Sequence, residues 1–274
     1  MKQTVMQNQA FSGNHPSKRL SISGSTLKMI AVITMFIDHF AAGILSRYLA
    51  KYGMGDIDLN NESAVDQWLA ENSTLYGIYY VMRLIGRIAF PIYCFLLIEG
   101  FEHTSSRLKY AGRLLLFAVI SEVPFDLLFN GHVLEFGYQN VFFTLFLGLV
   151  CLIAIQYIDE QSHMAPMLKV ICRLAAAGAC MFVAQMLYTD YAATGVFCIA
   201  ILYFFRKEKK QQVIAGCVTF LWELTAPLAF IPIWFYNGTR GWKLKYFFYL
   251  FYPLHLLLLY LICLALGIDS YPAM

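Results

Sequence analysis

Apolar runs long enough to cross a membrane as helices recur along almost the whole chain, and they limit the folds that the chain can adopt. Only 14% of the 274 residues are charged, against about 25% in a typical soluble domain. The pattern predicts an all-α protein, a polytopic membrane helical bundle. Runs long enough to cross a bilayer as a helix occupy residues 27–48, 76–101, 108–129, 139–158, 167–188, 191–206 and 244–266.

The stretch 211–236 leaves two topologies open. One glutamate and two prolines interrupt it, so it forms either one span or a hairpin of two short spans. The hairpin keeps the basic segments 206–210 and 239–245 on the same side, as expected if cytoplasmic loops carry the excess of Lys and Arg. We therefore predict nine spans, with eight as the alternative, and a cytoplasmic N-terminus.

The regions outside the spans are polar. Residues 1–25 are rich in serine and predict a flexible cytoplasmic tail, followed by a transmembrane domain over 26–267 and a C-terminal tail over 268–274. The acidic segment 49–75 predicts an external loop, with room for a short surface helix. The net charge of +3 and the lack of a basic tract with interleaved aromatics argue against nucleic-acid binding.

Ionisable residues inside the apolar runs give the strongest functional signal. Each costs several kcal/mol in hydrocarbon unless a partner or a cavity receives it. Counting about 1.5 Å of rise per residue places four of them roughly 17–21 Å from the cytoplasmic face. We expect these four to converge near the midplane: His39, Arg87, Glu122 and His255.

Spacing predicts which of these side chains share a helix face. Lys28 and His39, about three turns apart, point to one side of the first span. Asp38 points roughly 100° away from His39, so we expect it to pair with another helix. Pro91, one turn beyond Arg87, is expected to bend its helix and open space. Three pairs at i and i+4 also share a face: Arg83 with Arg87, Glu122 with Asp126, and Asn140 with Thr144.

A midplane histidine in charged company is compatible with several functions. It can act as a general base or acyl carrier, or relay protons in a transporter. No second ligand stands at i+3 or i+4 from His39 or His255, so we expect no metal site. A transporter and a non-enzymatic membrane assembly protein stay open as alternatives to an enzyme.

Several long blocks are similar to one known family. The runs "LKMIAVITMFIDHFA", "RLIGRIAFPIYCFLLIEGFEHTSSRLKYAGRLLLFAVISEVPFDLLF", "NVFFTLFLGL", "YAATGVFCIAILYFF" and "KYFFYLFYPLHLLLL" resemble the TraX family. The resemblance covers nearly all of residues 27–266. It implies a multi-pass protein of the bacterial cytoplasmic (inner) membrane that N-acetylates a pilin. Its donor would be acetyl-CoA or a related acyl-CoA.

A wider resemblance suggests roles for two residues of the first span. Membrane acyltransferases of the acyltransferase-three type carry a basic residue, ten others and then a histidine in this span, and lysosomal heparan-glucosaminide acetyltransferase performs similar chemistry. Lys28 and His39 have that spacing. The resemblance implies that His39 is the catalytic base or transient acyl carrier. It also implies that Lys28 binds the phosphates of CoA, with the pantetheine arm along the helix face between them.

The remaining roles are our own hypotheses. Arg87 is expected to stabilise the oxyanion or, with Arg83, to bind the donor. Glu122 or Asp126 is expected to orient Arg87 or to deprotonate the acceptor. Asp38 is expected to tune His39, His255 to serve as a second acid or base, and Asp126 with Asn140 to contact the acceptor. That acceptor is an amine or hydroxyl compound: a protein N-terminus, a small amine or a glycan. Membrane lipid is the remaining expected partner.

Overall fold

A computed structural model describes residues 21–54, 57–58, 60–242 and 245–273. Over these residues the chain forms helices and no β-strand, which confirms the predicted all-α class. Five helical stretches of the described chain are long and apolar enough to cross a membrane: Gly24–Lys51, Glu62–His103, Val141–Glu160, Pro166–Met186 and Tyr246–Ala265. The α-helices are α1 Gly24–Phe40, α2 Ser46–Lys51, α3 Glu62–Gly86, α4 Ala89–His103, α5 Arg107–Phe129, α6 Val141–Glu160, α7 Pro166–Met186, α8 Ala192–Phe204, α9 Lys209–Thr219, α10 Phe230–Trp234 and α11 Lys245–Ala265.

The first span is one continuous rod with a change of winding in its middle. Ser23 caps α1, its hydroxyl accepting from the Thr26 amide at 3.3 Å, which satisfies one of the free donors at a helix start. A π-helical turn over Ala41–Leu45 joins α1 to α2. Such turns are rare and frequent at functional sites, and this one begins two residues after His39.

The second span bends where the sequence predicts. Helix α3 ends at Gly86, and α4 begins at Ala89. Pro91 lacks an N–H and its ring would clash with the carbonyl of Arg87 in an unbroken helix, so the bend falls at that residue. A Cβ at Gly86 would lie 2.2 Å from the Asp38 side chain. Only glycine lets α1 and α3 approach this closely.

Helix α3 begins earlier than the apolar pattern indicates. Asn61 caps it, with its side-chain oxygen accepting from the Ala64 amide at 3.2 Å, and the helix runs unbroken to Gly86. The short surface helix foreseen inside the acidic segment 49–75 is therefore the first part of α3. A good cap and a lack of helix-breaking residues extend the helix beyond its apolar portion.

The segment 211–236 folds as a hairpin. Helix α9 is followed by 3-10 turns over Leu221–Glu223 and Ala226–Ala229, and α10 completes the return. The Lys209 ammonium donates to the Tyr236 carbonyl at 2.7 Å, so both ends of the hairpin meet. Neither α9 nor α10 is long enough to cross a bilayer of about 30 Å. The number of complete crossings therefore stays a prediction.

The bundle has two distinct ends. The near end holds the start of α1, where the Ile22 amide donates to the Phe235 carbonyl at 2.9 Å. The far end holds the loops 130–139 and 187–191 and the chain after α11. Buried Arg47 fixes that last segment, since its guanidinium donates to the carbonyls of Asp269 at 2.5 Å and Leu128 at 2.7 Å. The sites below lie between these ends.

Candidate functional site

The doublet Asp38-His39 divides the interior into two regions. His39 points toward α11 and contacts His255; we call these two residues the histidine pair. Asp38 points toward α3 and pairs with Arg83 at 2.7 Å, which confirms the expectation that it pairs across helices. The structure thus brings His39 and His255 together, while Asp38, Arg83 and Arg87 belong to a second group.

The histidine pair is an edge-to-edge hydrogen bond. Nδ1 of His39 lies 2.7 Å from Nε2 of His255. The ring planes differ by 4° and their centroids are 5.0 Å apart, the arrangement of two coplanar rings that meet through nitrogen atoms. Nδ1 of His255 lies 2.7 Å from the Phe251 carbonyl oxygen. The three groups form one chain of hydrogen bonds.

This chain fixes the tautomers of the neutral pair. A carbonyl oxygen only accepts, so Nδ1 of His255 carries a hydrogen and its Nε2 has a lone pair. Nδ1 of His39 must then donate to that lone pair. Nε2 of His39 is left unprotonated, which is the state that a general base or nucleophile requires. His255 orients His39 in the way that a third group orients the base of a catalytic triad.

Aromatic rings enclose the histidine pair. Phe129 and Tyr252 meet the His39 ring edge to face, with centroids at 5.5 and 5.8 Å. Phe251 stacks on His255 at 4.7 Å. No carboxylate or guanidinium among the described residues is hydrogen-bonded to either imidazole. The surroundings are therefore apolar, which strengthens any charge interaction that forms there.

The face of α1 between Lys28 and His39 lies against α11. The Lys28 ammonium stands 5.4 Å from the centre of the Phe248 ring, and Phe36 meets Phe251 at 6.4 Å. The face is half-buried, and a pantetheine arm along it, as the resemblance implies, stays a prediction. Parallel packing of α1 and α11 puts aromatic rings along it. A donor chain would have to share this seam with those rings.

The second region is a group of charged residues, which we call the ion-pair cluster: Asp38, Arg83, Arg87, Asp190 and Glu223. Arg87 contacts Glu223 of the hairpin at 3.1 Å. This overturns the expectation that Glu122 or Asp126 orients Arg87. Asp190, from the α7–α8 loop, accepts from the Tyr138 hydroxyl at 2.8 Å. Sequence reasoning missed Glu223 and Asp190, although a glutamate within an apolar stretch was a usable signal for Glu223.

Glu122, Asp126 and Asn140 hold the far-end loop. Asn140 donates from its side chain to the Glu122 carboxylate and to the Ala118 carbonyl, the latter at 2.8 Å. Asp126 accepts from the Glu135 amide at 2.8 Å. These bonds join α5 to the loop before α6. Substrate contact by Asp126 and Asn140, and catalysis by Glu122, stay predictions.

Two cavities open at the far end. One, of about 720 Å³, has Arg47, Phe129 and Asp269 among its lining residues, and Phe129 stands between it and His39. The other, of about 380 Å³, is lined by Arg87, Asp190 and Glu223 and by several aromatic side chains, including Trp222. Gly137 and Tyr138 line both, so the two cavities are neighbours. We call them the Phe129 cavity and the Trp222 cavity.

Long apolar helices around buried ionisable residues define an integral membrane protein with a polar interior. Comparison with known proteins identifies its family. The profile described as TraX protein matches residues 23–263, and the chain belongs to the TraX family. It is also 30% identical to a Dichelobacter nodosus protein named "Probable fimbrial assembly protein FimC, serogroup H1", over 89% of this chain and 96% of the relative. No solved structure matches it significantly.

Proposed function

We propose that the chain is a membrane acyltransferase that moves an acetyl group from cytosolic acetyl-CoA to an amine. The observation that carries the proposal is the histidine pair: the half-buried His39 imidazole has an unprotonated Nε2, and its orientation is fixed by the hydrogen bond to buried His255. A transporter relay would need further titratable groups bonded to the pair. Aromatic rings surround the histidine pair instead. An enzyme in which His39 alone acts as the acid and base therefore fits this site better than a transporter does.

The transfer itself needs one base. The neutral amine attacks the thioester carbonyl carbon while Nε2 of His39 takes a proton from the amine nitrogen. The carbon–sulfur bond then breaks, and the proton passes from His39 to the leaving sulfur of CoA. Nε2 of His255 accepts a hydrogen bond from the Nδ1–H of the transient His39 imidazolium and stabilises its charge. The products are an acetamide and free CoA.

The near end suits the polyanionic head of the donor. Lys28 is half-buried and makes no ion pair with any described carboxylate, and the loop carrying Arg240 closes over the start of α1, with the Ser25 amide donating to the Arg240 carbonyl at 3.0 Å. Lys28 is about 16 Å below His39 along the helix. Excess positive charge at this end supports a cytoplasmic orientation. We place the protein in the bacterial inner membrane.

The acceptor is inferred from the relatives. The curated relative is named for fimbrial assembly, and the TraX resemblance implies the N-terminal amine of a pilin. We propose a protein N-terminus of this kind as the acceptor, with small amines and glycans as the competing substrates. Arg87 and Arg83 are occupied by carboxylates of the ion-pair cluster. We therefore assign no role in donor binding to these two arginines, and we propose that the donor binds at the near end.

The experiment is a transfer assay with the purified protein in detergent or nanodiscs. Acetyl-CoA is supplied with a peptide amide that has a free N-terminus, and both free CoA and acetylated peptide are measured. We expect the two products to appear in equal amounts, and no CoA release above background with the N-acetylated peptide. If acetyl-CoA neither binds nor is consumed, the proposal fails. Proton-driven uptake into vesicles without CoA release would instead identify a transporter.

A further inference from the structure

The non-glycine residues with unusual backbone dihedral angles lie at or next to the Trp222 cavity. Among the described residues, four that are not glycine have positive φ: Tyr188, Tyr191, Ala192 and Leu224. The first three line the cavity, and Leu224 follows Glu223, which also lines it. Such conformations cost about 1–3 kcal/mol each and persist only where the surroundings enforce them. The walls of this cavity are therefore held in a particular shape.

Stacking explains how part of that shape is enforced. Phe90, near the start of α4, stacks on Tyr191 with centroids 3.7 Å apart and planes 3° apart. Tyr191 in turn meets Trp222 edge to face at 6.1 Å. Tyr188 and Trp222 are 56% and 50% exposed, so the aromatic wall faces the cavity opening. An apolar or aromatic group of a ligand would find a matching surface there.

The charges around the cavity do not balance. Asp38 is paired with Arg83, and Glu223 with Arg87. Asp190 is left with a hydroxyl partner, Tyr138, and makes no ion pair with any Lys or Arg in the described part of the chain. The ion-pair cluster thus contains three carboxylates and two guanidiniums. One negative charge remains for a cation in the cavity.

We propose that the Trp222 cavity binds the protonated amine of the acyl acceptor, with Asp190 as its counter-ion and the Tyr188–Trp222 wall contacting the neighbouring apolar group. The site selects a primary ammonium that has an apolar neighbour, as a protein N-terminus does. An ammonium donates three hydrogen bonds, and an ionised carboxylate is a strong acceptor for them. This inference rests on the proposed function for the fate of the amine, but binding itself needs no acyl donor.

A line of aromatic rings connects this cavity to the histidine pair. The Tyr138 ring, whose hydroxyl bonds Asp190, lies 5.3 Å from Phe125. Phe125 lies 4.9 Å from Phe129, and Phe129 lies 5.5 Å from His39. The ammonium captured at Asp190 would lose one proton to the solvent of the open cavity, and the neutral amine would then pass the Phe129 cavity to reach the base. Capture and chemistry are therefore separable steps.

The test measures binding without acetyl-CoA. The probe is alanyl-phenylalanine amide, which has one positive charge and no carboxylate; its N-acetylated form is the matched uncharged ligand. We expect the free amine to bind at least tenfold more tightly than the acetylated form, with a change in tryptophan fluorescence that is lost in Trp222→Phe. Phenethylamine and glucosamine are measured in the same way, to represent small amines and glycans. Tighter binding of glucosamine than of the peptide would overturn the assignment to a protein N-terminus.

The decisive variant is Asp190→Asn. An asparagine oxygen can still accept from Tyr138, and the loop keeps its backbone bond from the Asp190 amide to the Gln139 carbonyl at 2.8 Å. We expect about tenfold weaker binding of the free amine, since a charge-assisted bond is lost. Glu71→Gln, which removes an exposed carboxylate from α3, should leave the dissociation constant within twofold. An equal loss in both variants, or in neither, would overturn the proposal.

A pH titration of the unmodified protein gives a second measurement. Burial raises the pKa of Asp190 to about 6, although the Tyr138 hydroxyl and the guanidiniums of Arg87 and Arg83 oppose this. Asp38, Tyr191 and Tyr252 are the other titratable groups that interact with it, and Glu223 lines the same cavity. Only the ionised carboxylate holds an ammonium, so binding should weaken as pH falls through about 6. That step should vanish in Asp190→Asn; its persistence would assign the titration to another group.

The two proposals fail in different ways. If acetyl transfer occurs but Asp190→Asn binds the amine normally, the acceptor site is wrong and the enzyme assignment stands. If the amine binds as described but acetyl-CoA is never consumed, the cavity is an amine site of a protein with another activity.

Discussion

The histidine pair and the ion-pair cluster, on either side of the Asp38-His39 doublet, accommodate polar groups in the protein interior in different ways. On the α11 side, the histidine pair is uncharged, edge to edge and surrounded by aromatic rings. On the α3 side, the side chains are charged and form two ion pairs, Asp38 with Arg83 and Glu223 with Arg87. Adjacent residues of one helix therefore belong to different microenvironments, because they project about 100° apart.

The difference indicates a division of labour. An unprotonated imidazole nitrogen in an apolar enclosure suits proton transfer, because its lone pair is not already used by a neighbouring cation. Paired charges are poorly suited to that task, but they hold helices in register and shape a polar cavity. We therefore assign chemistry to the histidine pair, and positioning and acceptor binding to the ion-pair cluster.

The largest expected effect is on the rate. His39→Gln removes the basic nitrogen but keeps a side chain of similar size, and kcat for CoA release should fall by about 10² to 10⁴, the usual contribution of a general base. His103→Gln is the control, because the exposed His103 ring bonds to the Glu99 carbonyl at the end of α4, away from the histidine pair. Comparable loss in both variants would remove the special role of the pair.

His255 is expected to act as a positioning residue. His255→Asn should lower kcat by about tenfold to a hundredfold while leaving the donor KM unchanged, because the Nδ1 hydrogen of His39 loses its acceptor. A purely structural role would instead lower the thermal stability and the yield of active protein without changing kcat per active site. Titration of active sites separates these outcomes.

Substitutions in the ion-pair cluster should affect mainly the stability of the protein. Asp38→Asn leaves the mostly buried Arg83 guanidinium without its partner, and we expect the free energy of unfolding to drop by about 3 kcal/mol. Adding Arg83→Gln should cost much less than its effect alone, since the two residues interact directly. Thermal unfolding in detergent measures both. Additive losses would mean that the contact contributes little.

A smaller loss is expected where α1 meets α3. Gly86→Ala places a methyl group 2.2 Å from Asp38, and overpacking of this kind costs about 1–3 kcal/mol. Gly77→Ala lies on the same helix with open space around it, so it should be neutral or stabilising by up to about 1 kcal/mol. Equal melting temperatures for the two variants would contradict the close approach.

The smallest effect concerns the donor. Lys28→Ala should raise KM for acetyl-CoA by about tenfold and leave kcat unchanged, as expected when one charge-assisted contact to a phosphate is lost. Lys51→Ala, at the far end of the same rod, is the matched control. An unchanged KM in Lys28→Ala would move the CoA head group elsewhere on the near end.

Spacing along single helices was predictable, and contacts between helices were only partly so. The bend before Pro91 and the outward pairing of Asp38 follow from local geometry. The partner of Arg87 could not be predicted in this way, because Glu223 comes close to Arg87 only when the segment 211–236 folds back as a hairpin. Asp190 was missed for a related reason: it lies in a loop with no helical periodicity, and only the docking of that loop on Tyr138 brings it inside.

The central claim is that the acyl group reacts at the histidine pair and not at the ion-pair cluster. A structure with a non-hydrolysable acetyl-CoA analogue tests it most directly. We predict that the carbonyl carbon of the acyl group lies within about 4 Å of the His39 imidazole, within reach of its base, with the phosphates at the near end beside Lys28. An acyl group seated against Arg87 and Glu223 would contradict the account.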